Sequence, residues 1–174
     1  MAKIIWFTGL SGAGKTTLAK ILSKRLVKLN FKVQNIDGDN FRKKNKNNNK
    51  FSKSNIIENN LSIIKHTKKI QKKYDFIIVS VISPLLKTRN FARIQFGKNY
   101  YEVHVKCKIK TLEQRDTKKL YEKAKKKLIK NLIGYNSKIR YEISKYKKIT
   151  INTDMLNKSN SIKTIMKKIL DEKK

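Results

Sequence analysis

Residues 9–16 read GLSGAGKT and fit the pattern G-x-x-x-x-G-K-[ST]. A short apolar run at residues 3–8 precedes them, and apolar residues at helical spacing follow them to about Asn30, so they lie between a predicted strand and a predicted helix. In that setting the glycines let backbone N–H groups face inward, and the start of the helix adds the positive end of its dipole. The stretch therefore predicts a cradle for the phosphates of a nucleoside triphosphate.

The polar residues of this loop predict its ligands. Lys15 is placed to reach the β- and γ-phosphates, and the Thr16 hydroxyl is placed to bind Mg²⁺. We therefore expect ATP and Mg²⁺ as cofactors and Lys15 as a catalytic residue. The predicted nucleotide-binding residues are Gly9, Ser11, Gly12, Ala13, Gly14, Lys15, Thr16 and Thr17.

The rest of the chain alternates short β-like runs with helical patterns. The predicted strands are residues 3–8, 31–36, 76–81, 101–105 and 149–152, and the predicted helices are residues 16–30, 56–70, a short one ending near Gly97, 111–130 and 162–169. Strands that alternate with helices predict a parallel sheet covered on both faces. We expect one α/β domain over residues 1–174, with three layers and a five-stranded parallel sheet, and an exposed low-complexity loop at residues 43–50.

The charge of the chain is strongly positive: 44 basic residues stand against 12 acidic ones in 174 residues, a net charge of +32. Such a field favours anionic partners. Lysine outnumbers arginine 38 to 6, although the planar guanidinium suits phosphate recognition better. This bias favours a solvated lysine-rich surface, so we expect no nucleic-acid partner; the alternative from another functional class is a nucleic-acid-binding P-loop protein.

Three features bear on the compartment. The single cysteine, Cys107, cannot form an internal disulfide, which is typical of a reducing compartment. The apolar run at the N-terminus is too short for a signal peptide, and the longest apolar stretch, residues 76–86, falls far short of the ~20 residues that span a bilayer. The sequence predicts a cytoplasmic protein with no membrane partner.

Two carboxylates, Asp37 and Asp39, follow the second predicted strand. Phosphoryl transfer needs positioning, charge neutralisation and a group that takes or orients the hydroxyl proton, and this pair can divide that work between metal and acceptor. We assign Asp37 to Mg²⁺; the alternative is a turn whose side chains only satisfy backbone groups. One domain leaves little room for the further parts of a motor or a regulated GTPase, so a small-molecule kinase is favoured.

An ordered set of motifs resembles the adenylylsulfate (APS) kinase family. The matching stretches are residues 9–19, 37–42, 51–52, 58–59, 82–84, 96–103, 115–116 and 120–124, within a resemblance that covers residues 4–153. The resemblance implies a P-loop kinase, usually dimeric, that transfers the ATP γ-phosphate to the ribose 3′-hydroxyl of adenylylsulfate. It also implies that Asp39 meets that hydroxyl as a catalytic residue.

The resemblance implies an acceptor site as well. In the family an arginine and an asparagine meet the anionic tail of the acceptor, while a phenylalanine stacks on its nucleobase. A mobile lid at about residues 115–136 is expected over the site, because a kinase must exclude water from the transferred phosphate. The predicted acceptor residues are Arg42, Phe51, Asn59, Ile82, Ser83, Lys118 and Leu132.

Two positions depart from the family pattern. Ile56 stands where the family has an acceptor-binding arginine, and Leu132 stands where a lid phenylalanine forms the second face of the clamp on adenine. A charge-assisted hydrogen bond contributes ~1.5–3 kcal/mol and base stacking roughly 1–3 kcal/mol, so both losses together would cost adenylylsulfate about two to four decades of affinity. These departures favour a smaller pyrimidine acceptor, cytidine diphosphoramidate, on which one branch of similar proteins acts in surface-polysaccharide modification; adenylylsulfate is the alternative.

Overall fold

A computed structural model describes residues 1–44, 52–146 and 149–171. Its sheet has five strands: β1 (Lys3–Thr8), β2 (Val33–Asp37), β3 (Phe76–Ser80), β4 (Tyr100–Lys106) and β5 (Ile149–Asn152). Their order is β2-β3-β1-β4-β5, and every neighbouring pair is parallel. The predicted α/β class and five-stranded parallel sheet are confirmed.

Helices cover both faces of this sheet. They are α1 (Lys15–Lys28), α2 (Gly38–Lys44), α3 (Lys53–Ile70), α4 (Leu86–Phe96), α5 (Ile109–Arg115), α6 (Leu120–Lys125) and α7 (Lys158–Leu170). The central strand β1 supplies both cores, because alternate side chains of a strand point to opposite faces. Ile5 and Phe7 pack in the cluster that contains residues of α1 and α7, whereas Ile4 and Trp6 pack in the cluster that contains residues of α3 and α4. None of the described helices is long and apolar enough to span a membrane.

The parallel arrangement places the polar motifs together. The carboxyl ends of parallel strands meet at one edge of a sheet, where ligands of open α/β sheets bind. In this chain β1 ends in the phosphate loop, β2 ends at Asp37, and β3 ends at Ser80. The candidate site is therefore built at one edge by strands that are distant in sequence.

The predicted helix over residues 111–130 is wrong. The chain forms two short helices, α5 and α6, and turns between them with Lys119 at a φ of +51°. The carboxylate of Asp116 accepts hydrogen bonds from the backbone N–H groups of Leu120 and Glu122, both at 2.8 Å. An aspartate side chain that caps a new helix start competes with continuation of the previous helix, and this local bond breaks the pattern.

The second strand and the turn after it also differ from expectation. Strand β2 runs to Asp37, and helix α2 begins directly at Gly38 rather than after a loop. The reason is again a local cap: Asp37 Oδ1 accepts hydrogen bonds from the N–H groups of Asp39 at 3.1 Å and Asn40 at 3.2 Å. The first two residues of the predicted loop at 43–50 end α2, and residues 45–50 lie outside the described residues.

Candidate nucleotide and acceptor site

The loop at residues 9–16 joins β1 to α1 in a conformation that needs glycine. Gly14 precedes α1 with a φ of +98°, in the left-handed region that other residues avoid. A Cβ on Gly9 would lie 2.3 Å from the carbonyl oxygen of Val105. Two hydroxyl groups hold the loop carbonyls from outside, since Tyr121 donates to Ser11 O at 2.9 Å and Thr153 Oγ1 donates to Ala13 O at 3.4 Å.

Lys15 is buried at the first turn of α1, with 9% of its surface exposed. Its ammonium donates a hydrogen bond to Leu10 O at 2.7 Å, on its own loop. Burial lowers the pKa of Lys15 from its ordinary 10.5 to about 8. The negative charge of Asp39 raises this pKa in part, and the positive charge of Lys118 lowers it further. A cation that is this poorly solvated gains strongly from a phosphate anion in place of the carbonyl.

Three side chains with oxygen atoms that could bind a metal, those of Thr16, Asp37 and Ser80, meet near this lysine. Thr16 Oγ1 donates to Asp37 Oδ2 at 2.9 Å, and Ser80 Oγ donates to the same oxygen at 3.3 Å. Hydroxyl and carboxylate oxygens suit Mg²⁺, which takes few protein ligands and completes its shell with water and substrate phosphates. Within the described residues no group of three His, Cys, Asp or Glu side chains lies close enough to hold a metal.

The predicted catalytic carboxylate, Asp39, forms an ion pair with a predicted acceptor residue, Lys118. The distance from Lys118 Nζ to Asp39 Oδ2 is 2.8 Å, and both side chains are about half exposed. Burial works to raise the pKa of the Asp39 carboxyl, but the hydrogen bond and charge of Lys118, helped by Arg42 and Lys15, outweigh it and lower the pKa. Arg42 lies three residues after Asp39 on α2, so both occupy one face of that helix.

Two further predicted acceptor residues present buried polar atoms. Asn59 on α3 is 2% exposed, and Ser83 after β3 is fully buried. Neither Asn59 Nδ2 nor Ser83 Oγ has a hydrogen-bond partner among the described residues, although an unpaired buried polar group costs about 1–3 kcal/mol. Ile82 is half-buried beside them and accepts through its carbonyl from Thr8 Oγ1 at 2.6 Å. The two unpaired atoms keep the capacity to bond a ligand or a water molecule.

The positions that depart from the family pattern are buried. Ile56, 3% exposed, forms a small apolar cluster with Leu85 and Ile133. Leu132, 7% exposed, packs instead in the core cluster on the α1 side of the sheet. The residue of this segment that packs with Ile56 is therefore Ile133, the next residue after Leu132, which was not among the predicted site residues. We call the cluster of Ile56, Leu85 and Ile133 the acceptor-side cluster. Phe51 lies outside the described residues.

Sequence reasoning also missed two contacts to the phosphate loop. Tyr121 lies inside the matched stretch at residues 120–124, but no pattern in the sequence predicts that its hydroxyl donates a hydrogen bond to the Ser11 carbonyl. Gly134 has a φ of +80°, and a Cβ there would lie 2.4 Å from Leu10 Cδ2, so the chain passes directly over the loop at this point. In the sequence, the only indication of this close approach is that the residue at this point of the expected lid is a glycine, Gly134.

Comparisons with known proteins agree with this geometry. The family model for adenylylsulphate kinase matches residues 1–152. An adenylyl-sulfate kinase of Clostridium acetobutylicum is 36% identical over 150 residues, covering 86% of this chain and 74% of that protein. A probable adenylyl-sulfate kinase of Archaeoglobus fulgidus is 36% identical over 154 residues, covering 88% and 97%. The structure of the Mycobacterium tuberculosis APS kinase in complex with AMPPNP and APS superimposes with a TM-score of 0.85 at 25% identity, covering 97% of each chain.

Proposed function

Because the chain belongs to the adenylylsulfate kinase family of ATP-dependent phosphotransferases, we propose that it transfers the γ-phosphate of ATP to the ribose 3′-hydroxyl of adenylylsulfate. The observation that carries this proposal is the convergence of the phosphate loop, through Lys15, with the Asp39–Lys118 pair at one edge of the sheet. The pair offers a hydroxyl-orienting carboxylate beside the groups that bind the phosphates.

The comparisons support adenylylsulfate, the alternative of the sequence analysis, over cytidine diphosphoramidate. The relatives of this chain named above are adenylyl-sulfate kinases, and the similar M. tuberculosis structure is a complex with AMPPNP and APS. The physical case for the cytidine compound was the loss of two contacts to adenylylsulfate, with Ile56 in place of an arginine and Leu132 in place of a stacking phenylalanine. Both side chains are packed among other apolar residues, so neither presents an open surface that selects a pyrimidine. Arg42 and Lys118 remain as cations for the anionic tail.

We assign the binding of the triphosphate to the loop. Its N–H groups and the start of α1 surround the phosphates, and the Lys15 ammonium exchanges the Leu10 carbonyl for phosphate oxygens. Thr16 and Asp37 would hold Mg²⁺, which supplies charge neutralisation of the phosphates when bound. Tyr121 and Thr153, which anchor the loop carbonyls, keep the N–H groups directed inward.

Asp39 acts on the acceptor hydroxyl in this proposal. Its lowered pKa keeps it ionised at neutral pH, so it accepts a hydrogen bond from the 3′-hydroxyl and aims the oxygen at the γ-phosphate. A carboxylate this weakly basic suits phosphoryl transfer, in which orientation matters more than early proton removal. Lys118 holds the carboxylate in place and neutralises part of the charge that gathers between the two substrates.

Residues 115–136 form the proposed lid. They touch the phosphate loop at Tyr121 and at Gly134, and Ile133 enters the acceptor-side cluster. A segment with contacts on both substrate sides can exclude water when both substrates are bound.

We also propose, from the family resemblance, that the protein is a cytoplasmic homodimer. Sedimentation equilibrium of the purified protein would test the dimer.

One assay tests the proposed acceptor. ADP release is coupled to an optical signal with ATP and Mg²⁺, and adenylylsulfate and cytidine diphosphoramidate are compared side by side. We expect kcat/KM for adenylylsulfate to exceed that for the cytidine compound by at least tenfold. The reverse ratio would establish the pyrimidine acceptor, and turnover of neither would contradict the proposal.

A matched variant connects this assay with the site. Asp39→Asn should lose turnover of whichever acceptor is used.

A second experiment tests the nucleic-acid alternative by offering RNA and DNA oligonucleotides to the protein at physiological salt. Binding that rests on phosphate neutralisation alone weakens steeply with salt. Tight binding under these conditions, together with phosphate transfer to the oligonucleotide, would favour that alternative.

A further inference from the structure

A buried guanidinium lies behind the acceptor loop. The side chain of Arg89 on α4 is fully buried, and its Nε lies 3.3 Å from Oε1 of Glu102 on β4, which is 4% exposed. Removing one partner of such a buried pair leaves an uncompensated charge, and this is more costly than the pair itself. Arg89 Nε makes no hydrogen bond with a described residue, so the pair compensates the buried charge and the two Nη groups orient the guanidinium.

The other nitrogen atoms of Arg89 join two separate segments. Nη1 donates to Ser83 O in the loop after β3, and Nη2 donates to Glu142 O in the segment that follows the proposed lid. A direct backbone bond supports this junction, because the Glu142 N–H donates to Pro84 O at 2.9 Å. One side chain therefore connects β4, the loop at Ser83 and the segment that follows the lid.

Tyr141 extends the network to the phosphate loop. Its ring centroid lies 5.0 Å from Arg89 Cζ, and its hydroxyl lies 2.9 Å from Thr8 Oγ1. The His104 ring also stacks on the Tyr141 ring, with the two centroids 5.2 Å apart. Thr8 directly precedes Gly9, so the segment at 141–142 is fixed relative to both substrate sites.

The backbone of Ser83 needs such support. Its φ of +45° is unusual for a residue with a side chain, and conformations of this kind persist only when their surroundings determine them fully. The Arg89 guanidinium donates a hydrogen bond to its carbonyl. Thr8 Oγ1, which donates to the neighbouring Ile82 carbonyl at 2.6 Å, lies 3.3 Å from the Ser83 carbonyl oxygen. With the carbonyl held, the backbone that carries the buried and unpaired Ser83 hydroxyl keeps its position.

We propose that Arg89 is a positioning residue for the acceptor: without touching it, Arg89 holds the Ser83 loop and residues 141–142 in the arrangement that binds it. This inference rests on the proposed function of the site. A lysine cannot replace the arginine, because an ammonium is a single point charge and lacks the planar fork that serves a carboxylate and two carbonyls at once.

The test compares Arg89→Lys with the control Arg93→Lys. Arg93 lies one turn later on the same helix, with its guanidinium over the Tyr146 ring at 4.4 Å. In Arg89→Lys we expect KM for the acceptor to rise at least tenfold while KM for ATP changes less than threefold. In the control we expect both KM values within threefold of the wild type. Hydrogen exchange should show faster exchange of the Glu142 amide in Arg89→Lys alone.

Several outcomes would overturn the proposal: unchanged acceptor KM, an equal loss of ATP and acceptor binding, or unchanged protection of the Glu142 amide. If Arg89→Lys does not fold, the double variant Arg89→Met/Glu102→Leu removes both charges together and should show the same selective rise in acceptor KM. If the wild type turns over neither acceptor, the proposed function fails, and hydrogen exchange at residues 82–86 and 141–142 then decides the positioning role by itself.

Discussion

Lys15 should give the reaction a pH limit on the alkaline side. Its pKa of about 8, against an ordinary 10.5, means that the ammonium is charged below pH 8 and neutral above it. Because only the charged form attracts phosphate, we expect kcat/KM for ATP to be level to about pH 7, to reach half its plateau near pH 8, and to approach a fall of about tenfold per pH unit only above about pH 9. At saturating ATP, kcat should stay level to higher pH, since bound phosphate favours the ammonium.

Lys15→Arg is the control for this limit. A guanidinium stays charged throughout this range, so the variant should be less active but show no decline between pH 8 and 9.5. The measurement is a series of initial rates at varied ATP with saturating acceptor. A wild-type profile that stays level to pH 9.5 would contradict the assignment of the limit to Lys15.

Asp39→Asn should separate chemistry from nucleotide binding. The amide cannot accept the hydroxyl hydrogen bond as a carboxylate does, and loss of such a group lowers rates by about 10²–10⁴-fold. We expect kcat to fall by at least 10²-fold while the affinity for a non-hydrolysable ATP analogue, measured by calorimetry, changes less than threefold. Asp171→Asn, at the exposed end of α7, is the control and should retain full activity; a kcat for Asp39→Asn within fivefold of the wild type would remove Asp39 from the mechanism.

At this scale the sequence allowed part of the site to be predicted. The loop of residues 9–16 has a fixed spacing, and the structure places Asp39, Arg42 and Lys118 near one another, while their roles in binding and catalysis stay predictions. The Tyr121 hydroxyl on Ser11 O and the buried Arg89–Glu102 pair were not predictable, because they join residues far apart in sequence and no local pattern records such a contact.

Among the elements, α6 depends on one side chain. The Asp116 carboxylate accepts from two backbone N–H groups at the start of that helix, and such a cap is worth about 1 kcal/mol. Asp116→Ala should therefore lower Tm by about 2–4 °C, measured by calorimetry, and should weaken ATP binding because α6 carries Tyr121. Thr117→Ala, an exposed position in the same turn, should leave Tm unchanged, and equal Tm values for the two variants would contradict the cap.

The pH dependence of this cap has a defined sign. Burial acts to raise the pKa of Asp116, but hydrogen bonds from the backbone at Glu122, Tyr121 and Leu120 outweigh it and lower the pKa below its ordinary 3.8. The stabilisation is therefore complete above the unfolded pKa and is lost as the pH falls through the lower folded one. The difference in Tm between wild type and Asp116→Ala should shrink below pH 4.

The elements themselves were predictable to different degrees. Strand β1 and helix α1 have strong, unbroken patterns, and the structure places them within two residues of the prediction. The predicted helix at 111–130 failed because the Asp116 cap breaks it. Side-chain caps of this kind outweigh a basic sequence of good helix formers, which supplies propensity but no fixed register.

For the whole molecule, the charge predicts opposite responses to salt. With 44 basic and 12 acidic residues, at least 32 positive charges have no acidic partner of their own, and their repulsion destabilises the compact state. Raising NaCl from 20 to 300 mM should raise Tm by several degrees through screening. The same change should lower kcat/KM for the anionic substrates, while an equal osmolality of sucrose leaves kcat/KM within twofold. A Tm that falls with salt would show that the repulsion is not significant.

The position of β1 has a consequence for the order in which the chain acquires structure. Its neighbours are β3, about 70 residues later, and β4, about 95 residues later. Contacts of such long range slow folding, since loop closure must precede any gain from pairing. The loop at residues 9–16 thus leaves the ribosome early, yet its flanking strand stays unpaired on one side until residue 106 has been made. A nascent chain of intermediate length would expose an apolar strand edge, and we expect chaperones to bind it during that interval.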